Sequence, residues 1–179
     1  KFAGPLRPQI GIRTIFNLLG PLTNPAGADH QVIGMGDPGA AEKVARALQI
    51  LGTSGALVVY SEDGMDEISP EGKSHMYQVL DGQVSERTVD ASDFGLTERK
   101  RSDLTANTVE ESIGLIQGVL EGRNSGGVEQ AARTVVVMNA AALLAVGRAK
   151  TLEQAALLAA DSIDSGKALD KLETRAAMS

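Results

Sequence analysis

Residues 55–60 of this 179-residue chain, Gly-Ala-Leu-Val-Val-Tyr, are apolar without alternation and β-branched at Val58 and Val59. A strand of that composition has no polar face to offer water, so it belongs in a sheet covered on both sides. The preceding segments agree. Residues 30–35 read as a short strand, and 38–51 as a helix with Ala41, Val44, Ala45, Leu48 and Leu51 on one face. Asp37 stands at its N-cap and Pro38 at its first position. Strand, helix and strand in this order imply a parallel pair joined by a right-handed crossover. Residues 73–80 and 83–89 flank Asp81-Gly82, a two-residue hairpin signal. From Thr108 the chain turns helical: Thr108 with Glu111 and Thr151 with Gln154 have capping-box spacing. Two apolar sets, Val109/Ile113/Ile116/Leu120 and Leu152/Ala156/Ala159/Ile163, recur at helical period, and residues 128–146 are apolar nearly all round, as in a central buried helix. The fold class is therefore α/β: a mixed, largely parallel sheet with flanking helices and a C-terminal helical layer, built as one domain over residues 1–179.

Composition excludes several functions. With no cysteine there is no disulfide framework, thiolate nucleophile or zinc ribbon, and the usage fits a cytoplasmic protein. The longest nearly apolar run, residues 134–146, is interrupted by Asn139 and is shorter than the roughly 20 residues that a bilayer span needs, so no membrane partner is expected. A net charge of −6 and 3% aromatic residues offer neither the cationic footprint nor the stacking platforms of a nucleic-acid binder. That charge is unevenly placed: residues 61–105 carry five basic and eleven acidic side chains, as much net negative charge as the whole chain. Such a segment is either solvated surface or a cation site.

Three segments are candidates for chemistry. Gly34-Met35-Gly36-Asp37-Pro38-Gly39 has the glycine spacing of a dinucleotide-binding turn. Its chemistry is wrong for that role, because Pro38 lacks an amide hydrogen and the Asp37 carboxylate would repel a pyrophosphate; a capped helix start explains it more simply. The second is Glu62-Asp63-Gly64-Met65-Asp66-Glu67-Ile68-Ser69, after the buried strand, where open α/β sheets place ligands. Asp66 and Glu67 are adjacent hard oxygen donors suited to Mg²⁺ shared with substrate phosphates. The third is residues 7–25, where Arg7 and Arg13 precede an apolar stretch ending in the rigid turns Gly20-Pro21 and Asn24-Pro25. Guanidinium groups there could fork onto a carboxylate or phosphate, or form surface ion pairs.

The run Gly11-Ile12-Arg13-Thr14-Ile15-Phe16-Asn17-Leu18-Leu19-Gly20-Pro21-Leu22-Thr23-Asn24-Pro25-Ala26, followed by Gly64-Met65-Asp66-Glu67-Ile68-Ser69 and Asp93-Phe94-Gly95-Leu96, resembles the C-terminal α/β domain of the anthranilate phosphoribosyltransferases. Val137-Met138-Asn139-Ala140-Ala141 and the closing residues 163–169 extend the resemblance over essentially the whole chain. It implies the C-terminal fold shared by nucleoside phosphorylases and these transferases. The implied activity is Mg²⁺-dependent transfer of the 5-phosphoribosyl group from phosphoribosyl pyrophosphate to anthranilate, in tryptophan biosynthesis. It implies metal binding by Asp66 and Glu67, anthranilate binding by Arg7, and a turn lining the anthranilate channel at Gly20 and Pro21. The intact enzyme would be a homodimer. The family's N-terminal helical domain, with its Gly-Thr-Gly-Gly-Asp and Lys-His-Gly-Asn segments, has no counterpart here, and only Gly4-Pro5-Leu6 separates Phe2-Ala3 from Arg7, where relatives have a longer loop. This chain is accordingly expected to hold one part of the active site and to be inactive alone. Two relatives of the fold remain as alternatives: a pyrimidine nucleoside phosphorylase, and a non-catalytic nucleic-acid-binding member.

Overall fold

A computed structural model describes Gly20, Leu22, Thr23 and residues 27–178. Four strands, β1 (His30–Gly34), β2 (Gly55–Ser61), β3 (Ser74–Leu80) and β4 (Gln83–Val89), form one sheet in sequence order. Helix α1 (Pro38–Ile50) crosses from β1 to β2, and α2 (Val109–Leu120), α3 (Gly127–Ala145), α4 (Leu152–Asp164) and α5 (Lys167–Ala177) follow the sheet.

The mixed sheet and flanking helices are as the sequence reading expects. Among the described strands, however, only β1 and β2 run parallel; β2–β3 and β3–β4 are antiparallel. Each reversal is local. Asp81 and Gly82 both take positive φ (49° and 71°), which the tight turn between β3 and β4 demands, and residues 62–73 turn the chain back from β2 to β3, closed where the Glu62 amide donates to Lys73 O at 3.0 Å.

β2 is covered on both faces. Leu57 and Val59 join Met76, Val89, Phe94, Met138, Ala141 and Ala155 under α3 and α4, while Ala56 and Val58 join Val79, Ala41, Val44 and Leu48 under α1. Residues that alternate along β2 therefore feed two cores, which is why no position in the run is polar.

The helix starts follow their caps. The Asp37 carboxylate accepts from the Gly39 amide at 3.0 Å, and Pro38 opens α1. Thr108 accepts from Glu111 N and Thr151 from Gln154 N, each at 3.1 Å. The return bond from Glu111 reaches the Asn107 amide rather than that of Thr108. Leu152, Ala156, Ala159 and Ile163 are all buried, as expected.

Helix α2 differs. It buries Gly118 and Val119, whereas Val109, Ile113 and Ile116 stand 68%, 48% and 53% exposed. The period is right and the face is wrong, because among the described residues α2 rests on α3 through its other side. α3 is central but not buried all round, with Val128, Val136 and Leu143 partly open. No helix of the described residues is long and apolar enough to cross a membrane.

Candidate functional site

β2 ends at Ser61, and residues 62–73 loop back into β3. The loop is built around the Asp63 carboxylate. One of its oxygens takes the Ser61 hydroxyl and lies 3.2 Å from the Met65 amide; the other accepts from the Ser69 hydroxyl at 2.8 Å. Arg101, from a short 3₁₀ turn, donates to the Asp63 carbonyl and approaches its carboxylate at 3.9 Å. Burial works against the Asp63 charge, but the two hydroxyls, the Met65 amide and Arg101 outweigh it and hold its pKa below the ordinary aspartate value.

Two further contacts fix the middle of the loop. The Asn139 side chain, on α3, accepts from Ile68 N at 3.0 Å and donates to Ile68 O at 3.1 Å. From below, β1 meets the loop at Gly34, where an added Cβ would sit 1.7 Å from the Asp66 carbonyl oxygen. Only glycine allows that approach.

Between these supports Asp66 and Glu67 face outward, both exposed. Asn139 Nδ2 lies 3.4 Å from Glu67 Oε2. The carboxyl end of Glu67 is partly withdrawn from water, and this desolvation, reinforced by the neighbouring Asp66 charge, raises its pKa. Adjacent anions in a raised-energy arrangement suit a cation. Among the described residues no group of three or more His, Cys, Asp or Glu side chains is arranged to hold a metal. Two carboxylates are nonetheless the usual protein share of a Mg²⁺ site completed by waters and substrate phosphates, so the donor set fits a shared ion rather than an all-protein cage.

The other sequence candidates stand elsewhere. Arg7 and Pro21 lie outside the described residues. Gly20 is exposed, and Leu22 lines a cavity of about 280 Å³ with Ala28, Asp29, Leu51 and Thr53. That cavity is at the amino ends of β1 and β2, whereas Asp66 abuts Gly34 at the carboxyl end of β1. Asp63, Asn139 and Gly34 were not singled out as site residues from sequence. Gly34 opens the glycine motif, and Asn139 is the polar interruption of an apolar run, so both left a trace there.

A parallel βαβ unit carrying an acidic loop at the strand's carboxyl end, backed by a helical layer, is an α/β arrangement of the kind that places ligands at strand carboxyl ends. Residues 1–169 match the model of the glycosyl transferase family, a/b domain, and the chain belongs to that family. It is 43% identical over 175 residues to an anthranilate phosphoribosyltransferase of Roseiflexus sp. (strain RS-1), covering 97% of this chain and 50% of that protein. With the one from Moorella thermoacetica the identity is 44% over 178 residues, covering 99% and 51%. The chain spans about half the length of the curated relatives it matches. Among solved structures, the anthranilate phosphoribosyltransferase of Thermus thermophilus superposes with a TM-score of 0.82 at 34% identity, covering 96% of this chain and 49% of that one. The Saccharomyces cerevisiae enzyme in complex with PRPP and Mg gives 0.81 at 29%, covering 96% and 47%.

Proposed function

We propose that this chain is the C-terminal α/β domain of an anthranilate phosphoribosyltransferase, in which Asp66 and Glu67 hold Mg²⁺ against the pyrophosphate of phosphoribosyl pyrophosphate. The observation that carries this reading is the outward-facing acidic pair on a loop braced by Asp63, Gly34 and Asn139, in a chain of this family. Bound there, the ion would neutralise charge on the departing pyrophosphate as the ribose C1 becomes electron-poor. The braced backbone fixes where the two side chains leave the loop, so only their own rotamers are left to order on binding. Arg7 would fork onto the anthranilate carboxylate and turn the amine toward C1, with the Gly20-Pro21 turn lining the approach. The neutral arylamine is itself the nucleophile, so no strong general base is needed. Cytoplasmic tryptophan biosynthesis and a homodimeric intact enzyme follow from the same reading.

The relatives' names favour anthranilate over a pyrimidine nucleoside as acceptor. The exposed acidic pair disfavours a nucleic-acid-binding role, since carboxylates repel phosphate unless a cation lies between. The test uses the full-length protein that carries this chain. Fluorescence-monitored loss of anthranilate should require both phosphoribosyl pyrophosphate and Mg²⁺. Phosphorolysis of pyrimidine nucleosides with no anthranilate consumption would replace the reading with the phosphorylase.

A further inference from the structure

Asn139 interrupts an apolar helix at a cost, because a half-buried amide facing the core must satisfy its own donors and acceptor. It does so almost wholly on other elements. Besides one bond to Val135 O within α3 (2.9 Å), it takes both backbone polar groups of Ile68 and lies beside the Glu67 carboxylate. Ile68 is fully buried in the main core, so the residue after the acidic pair is anchored twice: by its side chain in the core and by its backbone to α3. The pair itself is exposed and has no comparable anchor of its own among the described residues. Its spacing and direction are therefore set by its two neighbours in the chain: Met65, held through Ser61 and Asp63, on one side, and Ile68 on the other.

We infer that Asn139 is a positioning residue for the Asp66–Glu67 pair: by clamping the Ile68 backbone and contacting Glu67, it sets how tightly that pair binds a divalent cation. The inference rests on the reading of Asp66 and Glu67 as metal-binding. Partners one shell removed from a metal typically govern 10–100-fold in affinity without touching it. Asn139 is an uncharged example acting through backbone as well as carboxylate. A merely structural Asn139 would satisfy Ile68 and affect stability, with no specific effect on the metal.

Titration of the full chain with Mn²⁺ alone, following free Mn²⁺ by electron paramagnetic resonance, separates these cases. Asn139→Leu, close in size but unable to hydrogen-bond, should weaken Mn²⁺ binding roughly 10-fold or more. Asn139→Ser, too short to span both Ile68 groups, should weaken it as well and carries the test if the leucine variant does not fold. Thr134→Val removes a buried hydroxyl that, among the described residues, bonds Gln130 O within the same helix (2.8 Å). It should lower the melting temperature and leave Mn²⁺ affinity unchanged. Asp66→Asn with Glu67→Gln should abolish binding. Wild-type affinity in a folded Asn139 variant, or equal weakening by Thr134→Val, would overturn the positioning role while leaving the metal reading intact. Unchanged binding in the Asp66/Glu67 double variant would instead overturn the metal reading itself.

Discussion

Asp63 and Glu67 sit four positions apart on one loop, and their surroundings push their pKa values in opposite directions. Asp63 directs its charge inward, onto the Ser61 and Ser69 hydroxyls and the Met65 amide. Its folded pKa lies below the unfolded one, so its contribution is complete above the ordinary aspartate value of about 3.9 and is lost as pH falls through the lower folded value. Asp63→Ala leaves the buried Ser69 hydroxyl without its acceptor and removes the carboxylate that gathers Ser61 and the Met65 amide, and it should cost about 1–3 kcal/mol at neutral pH by denaturant titration, with the deficit shrinking in strong acid. Glu67 has the reverse sign. Its raised folded pKa means that ionisation opposes folding at neutral pH, an opposition that fades as pH falls through the raised value and is gone below about 4.3. Glu67→Gln should therefore raise the metal-free melting temperature at pH 7, and the difference from wild type should vanish near pH ~3.5, below the ordinary glutamate value. A functional carboxylate maintained against stability is what a metal-binding role predicts.

Among the elements, the junction of β1 with the acidic loop is the least tolerant of change. Gly34→Ala should cost at least ~1–3 kcal/mol, because backbone rather than a flexible side chain must move, and it should displace the loop at Asp66. Chemical denaturation and Mn²⁺ affinity measured on the same variant would detect both effects. The elements were legible where local rules dominate: β2 in its unbroken apolar run, the hairpin in Asp81-Gly82, α1 in Asp37-Pro38, and α4 in its buried face. The orientation of α2 was not legible, since a period of about 3.6 states that a stripe exists and leaves open what covers it. The site was legible in the same partial way. Asp66 and Glu67 stand out as adjacent acids after a buried strand. Their supports come from 71 residues along the chain, through Asn139, and from a neighbouring strand, through Gly34. Contacts of that range carry no local signature beyond an asparagine among apolar residues and a glycine in a motif that suggested another ligand.

For the whole molecule, the net charge of −6 resolves into distinct uses. Within residues 61–105, Glu71 accepts from the Arg101 amide, Glu98 from the Gly72 amide, and Asp90 and Asp93 form a reciprocal cap. Glu62 pairs with His75 at 3.2 Å. The excess of acid is thus mostly loop architecture, and Asp66 with Glu67 is the part that the proposed function assigns to a cation. An acidic pair cannot attract a pyrophosphate without a cation, so the account makes activity strictly metal-dependent. It also assigns to this chain only part of a site, in keeping with relatives about twice its length. The 179-residue chain on its own should consume no anthranilate above a blank containing phosphoribosyl pyrophosphate and Mg²⁺; robust turnover would show that the chain suffices. The most direct test of the central claim is the same fluorescence assay on the full-length protein carrying Asp66→Asn and Glu67→Gln. The account predicts that Mg²⁺-dependent anthranilate consumption is abolished while the circular dichroism spectrum is unchanged; wild-type activity in that variant would contradict it.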